Sequence, residues 1–219
     1  YMAELVTEET RAAMPAWNET LHAEVVGDWE RPQFFDGYQA HDPGITGDPH
    51  ASLFAWHDFS RNELVIEDEL EMRSATTTIG QWVEAIQAFE RRAYGVNAWD
   101  GTSIAAQDWA MEYGGLPEYL QSAISAKAPR QPYLRVADNA QGVCREMSLS
   151  HKLALFPTDK NEKAFHADTC NSLLFQRRIR IHRRCKRLIE QLYSTVWNKT
   201  RSEWDRTPKD HGDLIDCLV

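Results

Sequence analysis

The sequence has no apolar stretch approaching the roughly 20 residues that cross a bilayer as a helix. Its opening residues, YMAELVTEE, are acidic where a secretory signal would be basic and then apolar, so a soluble, intracellular protein is expected. Cysteine is scarce and scattered. Cys144, Cys170, Cys185 and Cys217 form no Cys-x-x-Cys pair, which removes zinc-ribbon and disulfide frameworks and leaves reduced thiols as the expectation. His166 with Cys170, and His182 with Cys185, lie close in sequence, but without the usual ligand spacing for zinc. There is no GxxxxGKS or GxxxxGKT loop, which excludes nucleotide hydrolysis by a P-loop, and no GxSxG elbow. Internal repeats and low-complexity tracts are missing too. The chain starts at Tyr1 rather than Met and stops inside an expected helix, which points to a piece of a longer polypeptide.

The 219 residues, 42% hydrophobic and 11% aromatic, suffice for one principal core. The net charge of −9 speaks against nucleic-acid binding when taken alone. The segment 176–187 (QRRIRIHRRCKR) nevertheless concentrates seven of the 24 Lys and Arg residues. Residues 1–33 read as a surface helical arm interrupted near Pro15. Extended patterns follow at 34–42, 52–59 and 63–70, an antiparallel meander of three strands. Ile79, Trp82, Val83, Ile86, Phe89 and Ala93 then recur at helical spacing. The signal weakens over 95–130, read as an elaboration with a packed aromatic cluster of Trp99, Trp109, Tyr113 and Tyr119. Strands at 131–137 and 152–156 with a short helix between them make a β-α-β unit. A helix over 159–176, a strand over 178–182, a helix with Cys185, Leu188, Ile189, Leu192 and Val196 in one stripe, and a terminal helix opening at Asp210 complete the chain. The expected class is α/β: a mixed central sheet, part antiparallel meander and part parallel, flanked by helices.

Three acidic residues stand at comparable places. Asp42 ends the first strand, held extended by Pro43 and followed by the turn residues Gly44 and Gly47-Asp48. Asp138 ends the strand after the long helix, and Asp213 lies in the first turn of the last. If the strands bearing Asp42 and Asp138 are neighbours, the two carboxylates sit about 5 Å apart, a spacing suited to sharing Mg²⁺. Such a pair at strand ends fits two-metal phosphodiester hydrolysis. Each residue also has a plainer role: Asp42 as a turn residue, Asp138 as a helix cap, Asp213 as a helix-dipole partner with Asp210 as cap. Asp216 shares a helix side with Asp213 and competes for third ligand. The acidic run Glu67, Asp68, Glu69 and Glu71 reads as a solvated strand edge, with Glu67 or Glu69 as possible support. Arg178, Arg180, Arg183, Arg184 and Lys186 can hold phosphates, or can form a solvated basic face.

The succession HDPGITGDPHASLFAWHDF, LVIEDEL, LRVADN, TDKNEK, RIRIHRRCKRLIEQL and KDHGDLIDCLV resembles the C-terminal nuclease domain of the large terminase subunit of tailed bacteriophages, from about residue 34 to the end. The resemblance implies an RNase H-like fold related to RuvC-like resolvases and a two-metal endonuclease, using Mg²⁺ or Mn²⁺, that cuts concatemeric viral DNA during packaging. It places Asp42, Asp138 and Asp213 as metal ligands and Lys160 as the lysine near the active site, with Lys163 close by. It further implies double-stranded DNA, an upstream ATPase domain of the same polypeptide, the portal and the small terminase as partners, no membrane association, and a location in the host cytoplasm at the procapsid portal. Residues 1–33 then become the linker to that ATPase domain, 34–219 the nuclease domain, and 95–130 an insertion. The alternatives are a RuvC-like junction resolvase and a non-catalytic module docking on DNA or portal.

Overall fold

A computed structural model describes residues 11–32, 35–44, 48–73, 75–94, 132–138, 141–151, 153, 155–158, 162–206 and 212–219. Among them a seven-stranded sheet is built from β1 (Val26–Gly27), β2 (Gly37–Asp42), β3 (His50–Asp58), β4 (Glu63–Met72), β5 (Leu134–Asp138), β6 (Phe156–Thr158) and β7 (Ile179–His182). Their order across the sheet is β1-β7-β4-β3-β2-β5-β6. The meander β2-β3-β4 is antiparallel as expected, and β5, β6, β7 and β1 add in parallel. Of these strands only β3 runs against the rest, so the other six end at one edge of the sheet. No helix among the described residues is long and apolar enough to cross a membrane.

Alternation along the strands sorts side chains into two layers. On one face, Leu53, Ala55, Ile66, Ile179 and Ile181 pack beneath α1 (Glu19–Val25), α4 (Lys163–Phe175), α5 (Lys186–Ser194) and α6 (Asp213–Leu218), through Val25, Leu174, Leu188, Leu192, Leu214 and Ile215. On the other, Phe54 and Ala137 meet α2 (Ile79–Tyr94) and α3 (Gln141–His151), through Trp82, Val83, Ile86, Phe89, Cys144 and Met147. The apolar stripe read in 79–93 is the buried face of α2.

Two expectations shift. Of the described residues in the run 152–156, only Phe156 lies in a strand. Leu153 and Leu155 are buried beside α3, Leu153 N–H donates to Met147 O at 3.0 Å, and pairing with β5 starts only at Phe156. The described part of the expected surface arm is packed: Met14, Trp17, Leu21 and Val25 are buried, Ala13 N–H donates to Thr195 O at 2.9 Å, and β1 extends the sheet beside β7. Its apolar residues have a partner in the stripe of α5, which a single-segment reading does not reveal. The region 95–130 and its aromatic cluster lie outside the described residues.

Beneath β2 and β5 lies a buried polar network. Glu90 of α2 pairs with Arg135 at 2.7 Å, and Gln39 Nε2 donates to the same Glu90 oxygen at 2.9 Å. His41 joins Gln39 to Ser52, and Trp82 Nε1 donates to Ser52 Oγ at 3.1 Å. Burial, with Arg135 nearby, lowers the His41 pKa to about 3, so its ring is neutral and serves as a hydrogen-bonding strut. Breaking a fully buried ion pair strands one charge, so Glu90→Ala should cost about 3–5 kcal/mol in chemical denaturation. A loss below about 1 kcal/mol would mean that Arg135 finds other compensation.

Candidate functional site

The parallel register of β2 and β5 sets Tyr38 opposite Leu134, Ala40 opposite Val136 and His41 opposite Ala137, which makes Asp42 and Asp138 neighbours at the ends of their strands. In each strand the aspartate follows the same alternation as the half-buried residues two and four places before it, so both carboxylates fall on the face covered by α6. After Asp42 the chain turns sharply through Pro43-Gly44. A Cβ on Gly44 would overlap the carbonyl oxygens of Asp48 and Pro49, so only glycine fits this close return.

Helix α6 completes the site from above. Asp42, Asp138, Asp213 and Asp216 line a single pocket of about 230 Å³ together with Asp48, Lys163, Glu203 and Arg206. The structure therefore brings the three sequence-predicted aspartates, and the competitor Asp216, to one place. The last two differ in state. Asp216 accepts from Trp204 Nε1 at 2.7 Å and pairs with Lys163 at 2.8 Å and Arg206 at 3.7 Å. Asp213 is 1% exposed, and its buried Oδ2 has no hydrogen-bond partner. Burial, followed by repulsion from Asp42, raises its pKa to about 7. The N-cap of α6 is Gly212, and Asp210 lies outside the described residues.

An orphaned carboxylate oxygen beside a second carboxylate is a fit for a hard divalent cation. Asp42, Asp138 and Asp213 are the residues that can hold one, with Asp216 committed to its own cations. Among the described residues, no three His, Cys, Asp or Glu side chains stand close enough together to form a ready-made metal set, so the pocket is shared without being a closed coordination cage. The zinc pairs are likewise not gathered. Burial pushes the Cys170 thiol up to about 12, and both ring nitrogens of His182 face Arg184.

The basic residues divide by position. Arg180 lies level with Val65 of β4, which pairs with Trp56 and so stands level with Gly37 at the start of β2. From there to Asp42 is about 16 Å along the strands and about 14 Å across three strand spacings. Arg178 donates to Asn62 O at 3.0 Å, and Arg180 pairs with Glu63 at 2.9 Å and covers Trp29. These two are thus remote from the carboxylates and turned to structural partners. Arg183, Arg184 and Lys186 follow β7; Arg183 pairs with Asp28 at 2.6 Å, Arg184 lies beside Asp68, which register sets level with Gln39 rather than Asp42, and shares a pocket with Phe89 and Arg92 of α2, while Lys186 is exposed. Lys160 lies outside the described residues; Lys163 is the lysine seen in the pocket, 4.7 Å over the Trp204 ring.

Sequence reasoning missed Arg206, which pairs with Asp48 at 2.6 Å, and undervalued Glu71. The register Asp42–Ala51–Glu71 across β2, β3 and β4 puts Glu71 on the face and level of Asp42, and its charge contributes to the raised pKa of Asp213. Its spacing of two from Glu69 signals a shared strand face, but only the register connects that face to Asp42.

Fold and site together define a mixed α/β domain with acidic residues gathered at its parallel strand ends. No family model and no curated protein matches the sequence. Among solved structures the fold is that of large terminase nuclease domains. The large terminase of a thermophilic bacteriophage, solved in complex with ADP, aligns at TM-score 0.63 and 12% identity over 95% of this chain. This chain spans 43% of that protein's length. The nuclease of phage G20c with bound magnesium aligns at TM-score 0.55 and 12% identity, covering 95% of this chain and 94% of the other. The nuclease domain of bacteriophage SPP1 with bound Mn gives 0.51 and 13%, covering 88% and 90%.

The Asp213 carboxyl has a folded-state pKa above its unfolded one. Its stabilising contribution is therefore full below about pH 4 and lost as pH rises through about 7. In chelator, Asp213→Asn should flatten the decline in stability across that window, on the order of 2–4 kcal/mol. An unchanged pH slope in thermal unfolding would contradict the burial of this group.

Proposed function

We propose that this chain is the nuclease domain of a phage large terminase, a divalent-metal-dependent endonuclease that cuts concatemeric viral DNA during packaging. The observation that carries this reading is the convergence of Asp42, Asp138 and Asp213 on one pocket, with a buried Asp213 oxygen left without a partner. The G20c and SPP1 structures, described with bound magnesium and Mn, support the same chemistry for a shared fold.

In this mechanism Asp42 and Asp138 from the strand ends, with Asp213 from α6, are the residues that would hold Mg²⁺ or Mn²⁺, and the bound ions would supply the positive charge that stabilises the entering and leaving oxygens of an in-line displacement at phosphorus. Lys163 and Arg206 stand at the rim, where they meet the incoming phosphodiester, and Asp216 keeps Lys163 in place. Arg183, Arg184 and Lys186 are exposed after β7 and contact the duplex through its phosphates, with affinity that falls as salt rises. Residues before the first packed segment lead to an upstream ATPase domain, 95–130 form an insertion, and the portal and small terminase are the assembly partners in the host cytoplasm.

A non-catalytic docking module is favoured by one observation, that Asp216, one of the aspartates converging on the pocket, is already ion-paired with Lys163 and Arg206. Supercoiled plasmid incubated with Mg²⁺, Mn²⁺ or EDTA separates the two. The wild type should cut in Mn²⁺ and not in EDTA, and Asp42→Asn should abolish cutting while keeping the thermal midpoint within a few degrees. Full cleavage by Asp42→Asn would remove the mechanism, and DNA binding unaffected by chelator without any scission would establish the docking module. Replacing Arg183, Arg184 and Lys186 together by Ala should weaken duplex binding and lower its salt dependence by up to about three phosphate contacts. The same change at Arg178 and Arg180 should leave both near wild type.

A further inference from the structure

Helix α6 has only six residues, too few to hold itself together, so the way its start is fastened decides where Asp213 points. Its N-cap, Gly212, is left-handed at φ 73°, and a Cβ there would lie 3.0 Å from Trp204 Cδ1 and 3.3 Å from Thr195 Cγ2. Glycine is needed, and glycine has no side chain to accept from the first-turn N–H groups. Gln191 of α5, fully buried, provides the missing acceptor from another helix. Its Oε1 takes the N–H of Leu214 at 3.0 Å and of Ile215 at 3.3 Å.

The other end of that amide is fixed as well. Gln191 Nε2 faces Glu71 Oε1 at 3.4 Å, and Arg187 Nε donates to Glu71 Oε2 at 3.0 Å. A carboxylate only accepts, so turning the amide over would set its NH₂ against two N–H donors and its oxygen against Glu71. Helix α5 is started in the same manner. Its N-cap, Cys185, makes no side-chain capping bond, and Glu69 accepts the N–H groups of Arg187 and Leu188 at 2.8 Å each. Two carboxylates on one face of β4 thus fasten two successive helices, Glu69 directly and Glu71 through Gln191.

We propose that Gln191 is the positioning residue for Asp213. By capping α6 from outside, it relieves Asp213 of the capping that a first-turn carboxylate otherwise performs and keeps that carboxylate turned into the pocket shared with Asp42 and Asp138. Its consequence for metal binding rests on the nuclease reading above; the capping itself does not.

The test compares wild type and Gln191→Leu by amide hydrogen exchange in chelator and by calorimetric Mn²⁺ titration. The expected result is at least about tenfold faster exchange at Leu214 and Ile215, unchanged protection in β2 and β5, and Mn²⁺ affinity lowered by about tenfold or more. A folded variant with wild-type exchange at those two amides, or with wild-type Mn²⁺ affinity, overturns the proposal. If Gln191→Leu fails to fold, Glu71→Ala carries the test. It frees the amide to turn and should speed exchange at Leu214 and Ile215; no change there overturns the proposal equally. The two failures are distinguishable, because a wild type that neither binds Mn²⁺ nor cuts DNA sinks the nuclease reading while the exchange data still decide the capping role.

Discussion

Repulsion among carboxylates is the constraint around which this domain is built. At an effective dielectric of about 20, two carboxylates about 5 Å apart repel by about 3 kcal/mol, and this pocket gathers five aspartates with Glu71 close by. The fold answers differently at each position. Asp216 is neutralised by Lys163 and Arg206, Glu71 is held by Arg187, and Asp213 retains a proton to near neutral pH. Under the proposed reading, a divalent ion held by Asp42, Asp138 and Asp213 would offset this repulsion.

The rest of the architecture reads as support for that pocket. Strand β2 divides its labour by alternation: Asp42 faces the helices α4 to α6, while its neighbour His41 faces α2 in a dry network with Ser52, Gln39, Glu90 and Arg135. That network ties β2, β3 and β5 to α2 from behind, so the two strand ends that bear Asp42 and Asp138 are braced against a packed layer. From the front, the capping bonds of Glu69 and Gln191 pass rigidity from β4 to α5 to α6. A short helix on its own would fray; one capped by a buried amide does not.

The features set by local chemistry were legible in the amino-acid order. Pro43 after Asp42, the three successive strands of the meander, and the stripe Ile79, Trp82, Val83, Ile86 and Phe89 depend on residues near one another in the chain, and the structure has each of them. The adjacency of Asp42 and Asp138 stood only as a condition on two strands being neighbours, and the parallel pairing of β2 with β5 supplies it. What required pairing across the sheet was hidden. Glu71 looked like part of a solvated edge until register placed it level with Asp42, and Arg178 and Arg180 looked like DNA contacts until parallel pairing placed them toward the far end of the sheet. Gln191 was hidden for another reason, since a glutamine on a helix gives no sign that it caps a different helix about 20 residues later. The packed segment before β2 was misjudged because its buried face is completed by α5, more than 150 residues away in the chain.

Likeness in fold to terminase nucleases at 12–13% identity says how the chain is arranged, and the gathered carboxylates say what the arrangement is suited to. The most direct measurement is anomalous scattering from crystals of the domain soaked in Mn²⁺. Peaks within coordinating distance of Asp42, Asp138 and Asp213 are the predicted result. Manganese found only at other surfaces, with those three side chains left without an ion between them, would contradict the account.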